Sequence, residues 1–143
     1  MKKTMYNEKR FLNFREIINH SAKKFGNRTA FQIKNSDGSY LNITYKNLKE
    51  RFYALSSNFL SMGLGGKRIA IVGRNCFEWI LSYICAATVG VAVPIDKELH
   101  SEDIRDFMSS AECEAVCAES KFISELNPMN LEEVSRVLGG TVD

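Results

Sequence analysis

The apolar positions of this chain change period repeatedly along its length, and each change marks a new element. Phe14, Ile17, Ile18, Ala22 and Phe25 recur at helical spacing on one face, which predicts a first helix from about Phe14 to Phe25. Asn13 can cap its start with Glu16 three residues on, and Gly26 can end it in the left-handed conformation. The period then becomes two. Thr29, Phe31 and Ile33 alternate with Ala30, Gln32 and Lys34, and Leu41 and Ile43 alternate with Asn42 and Thr44. The stretch between them, Asn35-Ser36-Asp37-Gly38-Ser39, has turn chemistry, so an antiparallel hairpin is expected. A second helix follows from about Tyr45 to Met62, with Thr44 as cap and Gly63 as stop. Leu48, Phe52, Leu55, Phe59 and Met62 form its apolar stripe, and Lys46, Lys49 and Glu50 face away.

Past the loop Gly63-Leu64-Gly65-Gly66 the alternation disappears. Ile69-Ala70-Ile71-Val72 is continuously apolar, as a strand covered on both faces of a parallel sheet would be. Asn75, with Glu78 three residues later, can cap a third helix that is apolar almost all round from Phe77 to Cys85 and so should be buried; Gly90 ends it. Val91-Ala92-Val93-Pro94-Ile95 is the next strand, and its proline places it at a strand end or an irregular edge. Ser101 caps a fourth helix, with Glu102 and Asp103 in the positive first turn and Ile104, Phe107, Met108 and Ala111 facing inward. Ala115 to Ala118 is a last short strand. The order β-α-β-α-β predicts an α/β fold: an antiparallel hairpin followed by a parallel, Rossmann-like, three-layer sheet. Residues 1–122 read as one unit and 123–143 as a tail, in which Asn127-Pro128 breaks the chain, Leu131 to Leu138 can form a short helix, and Gly139-Gly140 ends it.

Composition narrows the function classes. The 143 residues are 45% hydrophobic and 25% charged, as in an ordinary soluble globular protein. The net charge is +2, with lysines and arginines spread along the chain and mixed with acids, which makes no case for nucleic acid or an acidic membrane surface. Met1-Lys2-Lys3 is followed by no apolar segment of the kind a secretory signal needs. The longest apolar run, Ile80 to Ile95, is interrupted by Gly90 and Pro94 and is too short to cross a bilayer. A cytoplasmic protein without a transmembrane segment is therefore expected. Cys76, Cys85, Cys113 and Cys117 form no CxxC pair and have apolar neighbours, so they read as reduced core thiols. A zinc site would need His20 or His100 close by, and the spacing does not provide this.

Candidate chemistry is sparse. Gly63, Gly65 and Gly66 follow a helix and precede a strand, the reverse of the order in which a dinucleotide site needs them. Gly73-Arg74-Asn75 does lie between a strand and a helix start, where an anion can bind, but without the flanking glycines and Lys-Ser/Thr of a P-loop; ordinary capping is the simpler reading. No serine sits in a GxSxG context. Glu102-Asp103 and Glu132-Glu133 fall at helix starts, and the Glu98 to His100 segment reads as a solvated loop. No catalytic, cofactor-binding or metal-binding residue is assigned.

Four stretches in register resemble the adenylate-forming superfamily, the AMP-binding synthetases. Ile43-Thr44-Tyr45-Lys46-Asn47-Leu48 is similar to its first core motif, Thr/Ser-Tyr-x-x-Leu, with Asn47 where many members have an acid. Gly63 to Ile71 is similar to the loop and strand written G-x-x-x-G-D-x-V-A, with Lys67 in place of the common Asp. Asn75-Cys76-Phe77-Glu78-Trp79 resembles the family's Asn-x-x-Glu-Trp, and Thr88 to Asp96 resembles the second core motif, ending in Val-Pro-Leu/Ile-Asp. Together with Lys97-Glu98-Leu99, these features look most like bacterial long-chain fatty acid–CoA ligases, with peptide-synthetase adenylation domains as the nearest rival within the family. The resemblance implies a parent enzyme that uses ATP, magnesium and coenzyme A to convert a carboxylic acid, a fatty acid on this likeness, first to an acyl-adenylate and then to a thioester. The family's Ser/Thr/Gly-rich phosphate loop, ribose-binding Asp and C-terminal Lys have no counterpart in these residues. The chain is thus expected to be an incomplete N-terminal subdomain that is inactive alone and binds none of the three cofactors tightly. As such a piece it would expose apolar surface or open strand edges at Ile69–Val72 and Val91–Ile95, and would associate with itself or with the missing remainder. Two other readings stand beside this one: an interaction module derived from the family, and a small nucleotide-binding protein using the Arg74-Asn75 helix start.

Overall fold

The computed structural model describes residues 9–119 and Phe122; the break at Asn127-Pro128 and the helix expected over Leu131 to Leu138 lie outside them. Helix α1 spans Phe14–Phe25, strands β1 and β2 span Thr29–Lys34 and Tyr40–Thr44, and helix α2 spans Tyr45–Ser61. Strand β3 (Arg68–Val72), helix α3 (Phe77–Val89), strand β4 (Val91–Ile95), helix α4 (Ser101–Ser110) and strand β5 (Ala115–Ala118) follow. The α/β class, the hairpin and the β-α-β-α-β order are as the periodicity predicts.

The first two helices start by side-chain capping. Asn13 Oδ1 accepts the Glu16 backbone N–H at 2.9 Å, but the Glu16 carboxylate reaches past Asn13 to the Leu12 N–H at 3.1 Å. Gly26 does not adopt the left-handed conformation expected of it: its φ is −8°. At α2 the box is complete. The Asn47 N–H donates to Thr44 Oγ1 at 3.1 Å, and the Thr44 backbone N–H donates back to Asn47 Oδ1 at 3.4 Å. Gly63, at φ +77°, then turns the chain out of α2, as only glycine does at low cost.

The hairpin β1–β2 is antiparallel with an irregularity between Thr29 and Phe31, and Gly38 takes φ +86° in its turn. Ile43 points into the core, and Phe31 meets the Phe77 ring edge-on with centroids 5.1 Å apart. Leu41, expected to share that inner side, is largely exposed. The hairpin reaches the core through Ile43 and, partly buried, through Ala30, Phe31 and Ile33.

The second sheet is parallel with strand order β4-β3-β5. Strand β3 is therefore central, and it shows no open edge of the kind anticipated for Ile69–Val72. Its side chains divide by parity. Ile69 and Ile71 join Phe52, Leu55, Phe59, Leu81 and Cys85 in one core, while Ala70 and Val72 join Ile104, Met108 and Val116 in a second. The continuous apolar run is explained by a strand with a helical layer on each face. Helices α2 and α3 form one layer and α4 the other, and α1 packs outside α2 and α3. Strand β4 is an edge of the described sheet, which accommodates Pro94.

Three expected inner faces are only partly buried. Of the α1 stripe only Ile18 is fully covered, and Phe14 and Ile17 are exposed because α1 lies on an outer layer. Phe107 of α4 is 56% exposed. Helix α3 buries Phe77, Leu81, Ser82, Cys85 and Ala86 and leaves Trp79, Ile80, Tyr83 and Ile84 half-covered.

Candidate ligand crevice at the carboxyl ends of the parallel strands

From β3 the chain runs through α3 to β4 on one side, and from β4 through α4 to β5 on the other. The carboxyl end of β3 is therefore a topological switch point, where α/β sheets open a crevice for ligands. Gly73, Arg74, Asn75 and Cys76 lie there after β3, Asp96 and Lys97 after β4, and Glu119 after β5. A narrow cleft of about 40 Å³ runs between Ile71, Trp79, Ser82 and Cys117. A shallower hollow of about 350 Å³ opens beside it, over Gly73, Trp79, Pro94 and Lys97.

The helix start that sequence reading singles out is built differently from expectation. Asn75 is not the cap; Cys76 is, and its side chain makes no capping bond. Likewise His100 rather than Ser101 caps α4, again without a side-chain bond. Both segments enter their helices in extended backbone, so the cap falls one residue away from the polar side chain nearest the apolar run. The anion position at the turn is filled from within. The Arg74 backbone N–H donates to the Glu119 carboxylate, which also lies against Gly73, where a Cβ would come within 3.3 Å of Glu119 Cγ. Glu119 escapes sequence reading because it lies 45 residues from Arg74. Only the β3–β5 register, which pairs Val72 with Ala118, makes them neighbours.

The remaining chemistry is quiet. Burial pushes the Cys117 thiol up to about 12, against a smaller opposing effect of the neighbouring Ser82 hydroxyl, and burial also pushes Cys85 to about 12. Cys76, at a helix N-terminus where thiols often acidify, is instead raised, chiefly by burial with Glu78 adding to it. All four cysteines are free thiols, as expected. Glu98 and His100 are exposed in the loop after β4, and Glu98 pairs with Lys97. His20 packs its ring on Phe11 at 5.2 Å. Among the described residues no cluster of three or more His, Cys, Asp or Glu side chains could hold a metal ion. No described helix is long and apolar enough to cross a membrane.

A triphosphate at the turn after β3 would meet the Glu119 carboxylate, which already takes the Arg74 amide, and among the described residues no cluster of His, Cys, Asp or Glu could hold its magnesium, so this turn does not fit ATP with its magnesium.

Comparison with known proteins gives a consistent picture. The model of the AMP-binding enzyme family matches residues 18–140. A crotonobetaine/carnitine–CoA ligase of Citrobacter koseri is 24% identical over 123 residues, covering 85% of this chain and 24% of its own length. The chain thus spans about a quarter of the curated relatives it matches. Among solved structures, a putative long-chain-fatty-acid CoA ligase from Rhodopseudomonas palustris superposes with a TM-score of 0.67 at 25% identity, over 90% of this chain and 30% of that one. The N-terminal subdomain of NpsA from Klebsiella oxytoca, 16% identical, shares the fold with a TM-score of 0.73 over 92% of this chain and 34% of its own. With the family model matched along most of its length and the motifs at Thr44–Leu48, Asn75–Trp79 and Val93–Asp96 in the elements that the fold requires, the chain belongs to the AMP-binding enzyme family.

Proposed function

We propose that this chain is the first, scaffold-bearing part of an ATP-dependent, AMP-forming carboxylate–CoA ligase, and that it is inactive alone. On this reading residues 1–122 form the opening subdomain and 123–143 lead out of it. The observation that supports it is a family match over residues 18–140 in a chain that carries none of the family's phosphate loop, ribose-binding Asp or C-terminal Lys. The bond from the Arg74 amide to Glu119 agrees with it, since the turn after β3 is then tied to the end of β5 as a structural joint. The whole protein would bind ATP and magnesium, form an acyl-adenylate from a carboxylic acid, and pass the acyl group to coenzyme A in the cytoplasm. A fatty acid is the substrate class that the motif likeness favours. The test is a protein extended to the length of its relatives, assayed for coenzyme A thioester with acids from acetate to palmitate and with carnitine. A preference for long-chain acids supports the fatty-acid reading; a preference for carnitine replaces it; no thioester with any acid overturns the ligase reading.

A further inference from the structure

We propose that the outer faces of α1 and α4 are the two halves of a head-to-tail contact between copies of this chain, an inference independent of the ligase reading. The overall charge of +2 conceals a strong asymmetry. Residues 9–28 hold six cations against the single acid Glu16, whereas residues 96–119 hold eight acids against Lys97 and Arg105. Basic residues are therefore not evenly mixed with acids, contrary to the first impression from the sequence. The helices carry part of this asymmetry to opposite sides: α1 holds Arg15, Lys23 and Lys24 against Glu16 and lies outside the α2–α3 layer, whereas α4 holds Glu102, Asp103 and Asp106 against Arg105 and covers the opposite face of the sheet. Of the other acids, Glu98, Glu112 and Glu114 are already paired with Lys97, Arg68 and Lys67.

Each charged face also carries unburied apolar surface. On the basic side Leu12 is 89% exposed; with Phe14, Arg15 and Ile17 it lines an open groove of about 590 Å³ shared with Ala87 and Thr88 of α3, and exposed Arg10 precedes it in the chain. On the acidic side Phe107 stands out between exposed Asp103 and Asp106. The ion pairs described in the chain, Lys67–Glu114, Arg68–Glu112 and Lys97–Glu98, involve none of these face residues. The two helices are of similar reach, about 18 Å for α1 and about 15 Å for α4 at 1.5 Å per residue. A basic-apolar strip and an acidic-apolar strip on opposite sides of one molecule are complementary to each other. Such a contact is heterologous, so it builds chains or rings of copies and not a two-fold dimer. Charge complementarity of this kind steers association and makes it salt-dependent.

The experiment is sedimentation velocity of the 143-residue chain across concentration and salt, with charge reversal of each face. The expected result is association that strengthens with concentration at about 0.01 M salt and weakens on the order of tenfold or more by about 1 M. Arg10→Glu/Arg15→Glu has two acidic faces and Asp103→Lys/Asp106→Lys has two basic faces. Each should be monomeric by itself, and their mixture should associate. Recovery on mixing cannot come from unfolding, and circular dichroism of each variant checks folding directly. Asp106→Lys alone, which spares the first turn of α4, serves if the double variant unfolds. A wild-type chain that stays monomeric at low salt overturns the proposal, as does a folded pair of variants that fail to associate. So does a monomeric chain whose basic face binds anionic phosphatidylserine vesicles or a DNA duplex instead.

Discussion

Gly90 sits against the backbone of Lys67 so closely that a Cβ on it would lie 2.2 Å from the Lys67 carbonyl oxygen and 2.9 Å from its nitrogen. The Val91 N–H donates to the same carbonyl at 2.9 Å, and the Gly66 N–H donates to Val89 O at 2.8 Å. The loop before β3 and the turn before β4 are thus laced together where both strands begin. Gly90→Ala must displace backbone and should destabilise the chain by about 3 kcal/mol or more. Gly66→Ala, at φ +74° with open space around it, should cost only about 1 kcal/mol. Urea unfolding followed by circular dichroism measures both, and equal losses would remove the special role given to Gly90.

Asn47 completes a capping box at a position where an acid would do the same and add charge. Thr44→Ala removes the Oγ1 that accepts the Asn47 N–H and should cost about 1 kcal/mol. Asn47→Asp keeps an acceptor for Thr44 and places a negative charge in the first turn of α2, where no acid stands, so a gain of about 0.3–1 kcal/mol is expected. Thermal melts at low salt show it, and the gain should shrink as salt rises.

Ser56 Oγ and Ser82 Oγ are buried without a hydrogen bond of normal geometry. A hydroxyl in that state opposes folding, so Ser56→Ala and Ser82→Ala should each stabilise the chain by roughly 1 kcal/mol. Ser57→Ala, on the solvent side of α2, is the control and should give only about 0.5 kcal/mol, from helix propensity. Equal gains at all three would mean that burial of the hydroxyls carries no penalty.

The thiols set an alkaline limit. Burial holds Cys85 and Cys117 at about 12, against an ordinary value of 9.0, so the folded state binds their protons more tightly than the unfolded chain does. Their contribution to stability is complete below about pH 9 and is lost as pH rises toward about 12. Unfolding free energy measured between those limits should fall with pH. Iodoacetamide at pH 8 should label half-buried Cys76 first and reach Cys85 and Cys117 only on unfolding.

Elements were legible from the sequence where periodicity and burial coincide. Helix α2 announced itself through Leu48, Phe52, Leu55 and Phe59, all of which are buried, and β3 through a run that two helical layers cover. The misreadings fall on the outside. Phe14, Ile17, Leu41 and Phe107 follow the right period but are only partly covered, and the period alone does not tell how many layers the fold stacks. The caps at α3 and α4 slipped because Asn75 and Ser101 have the chemistry of a cap, whereas Cys76 and His100 have the backbone. Glu119 was beyond reach because it meets Arg74 only through strand register.

The central claim is that these residues are scaffold without an adenylation site. Its most direct test is ATP-dependent pyrophosphate release by the purified 143-residue chain, with magnesium and carboxylic acids from acetate to palmitate. The account predicts no release above the protein-free rate with any acid. Release that depends on both ATP and an acid would contradict it, and would place an adenylation site within these residues.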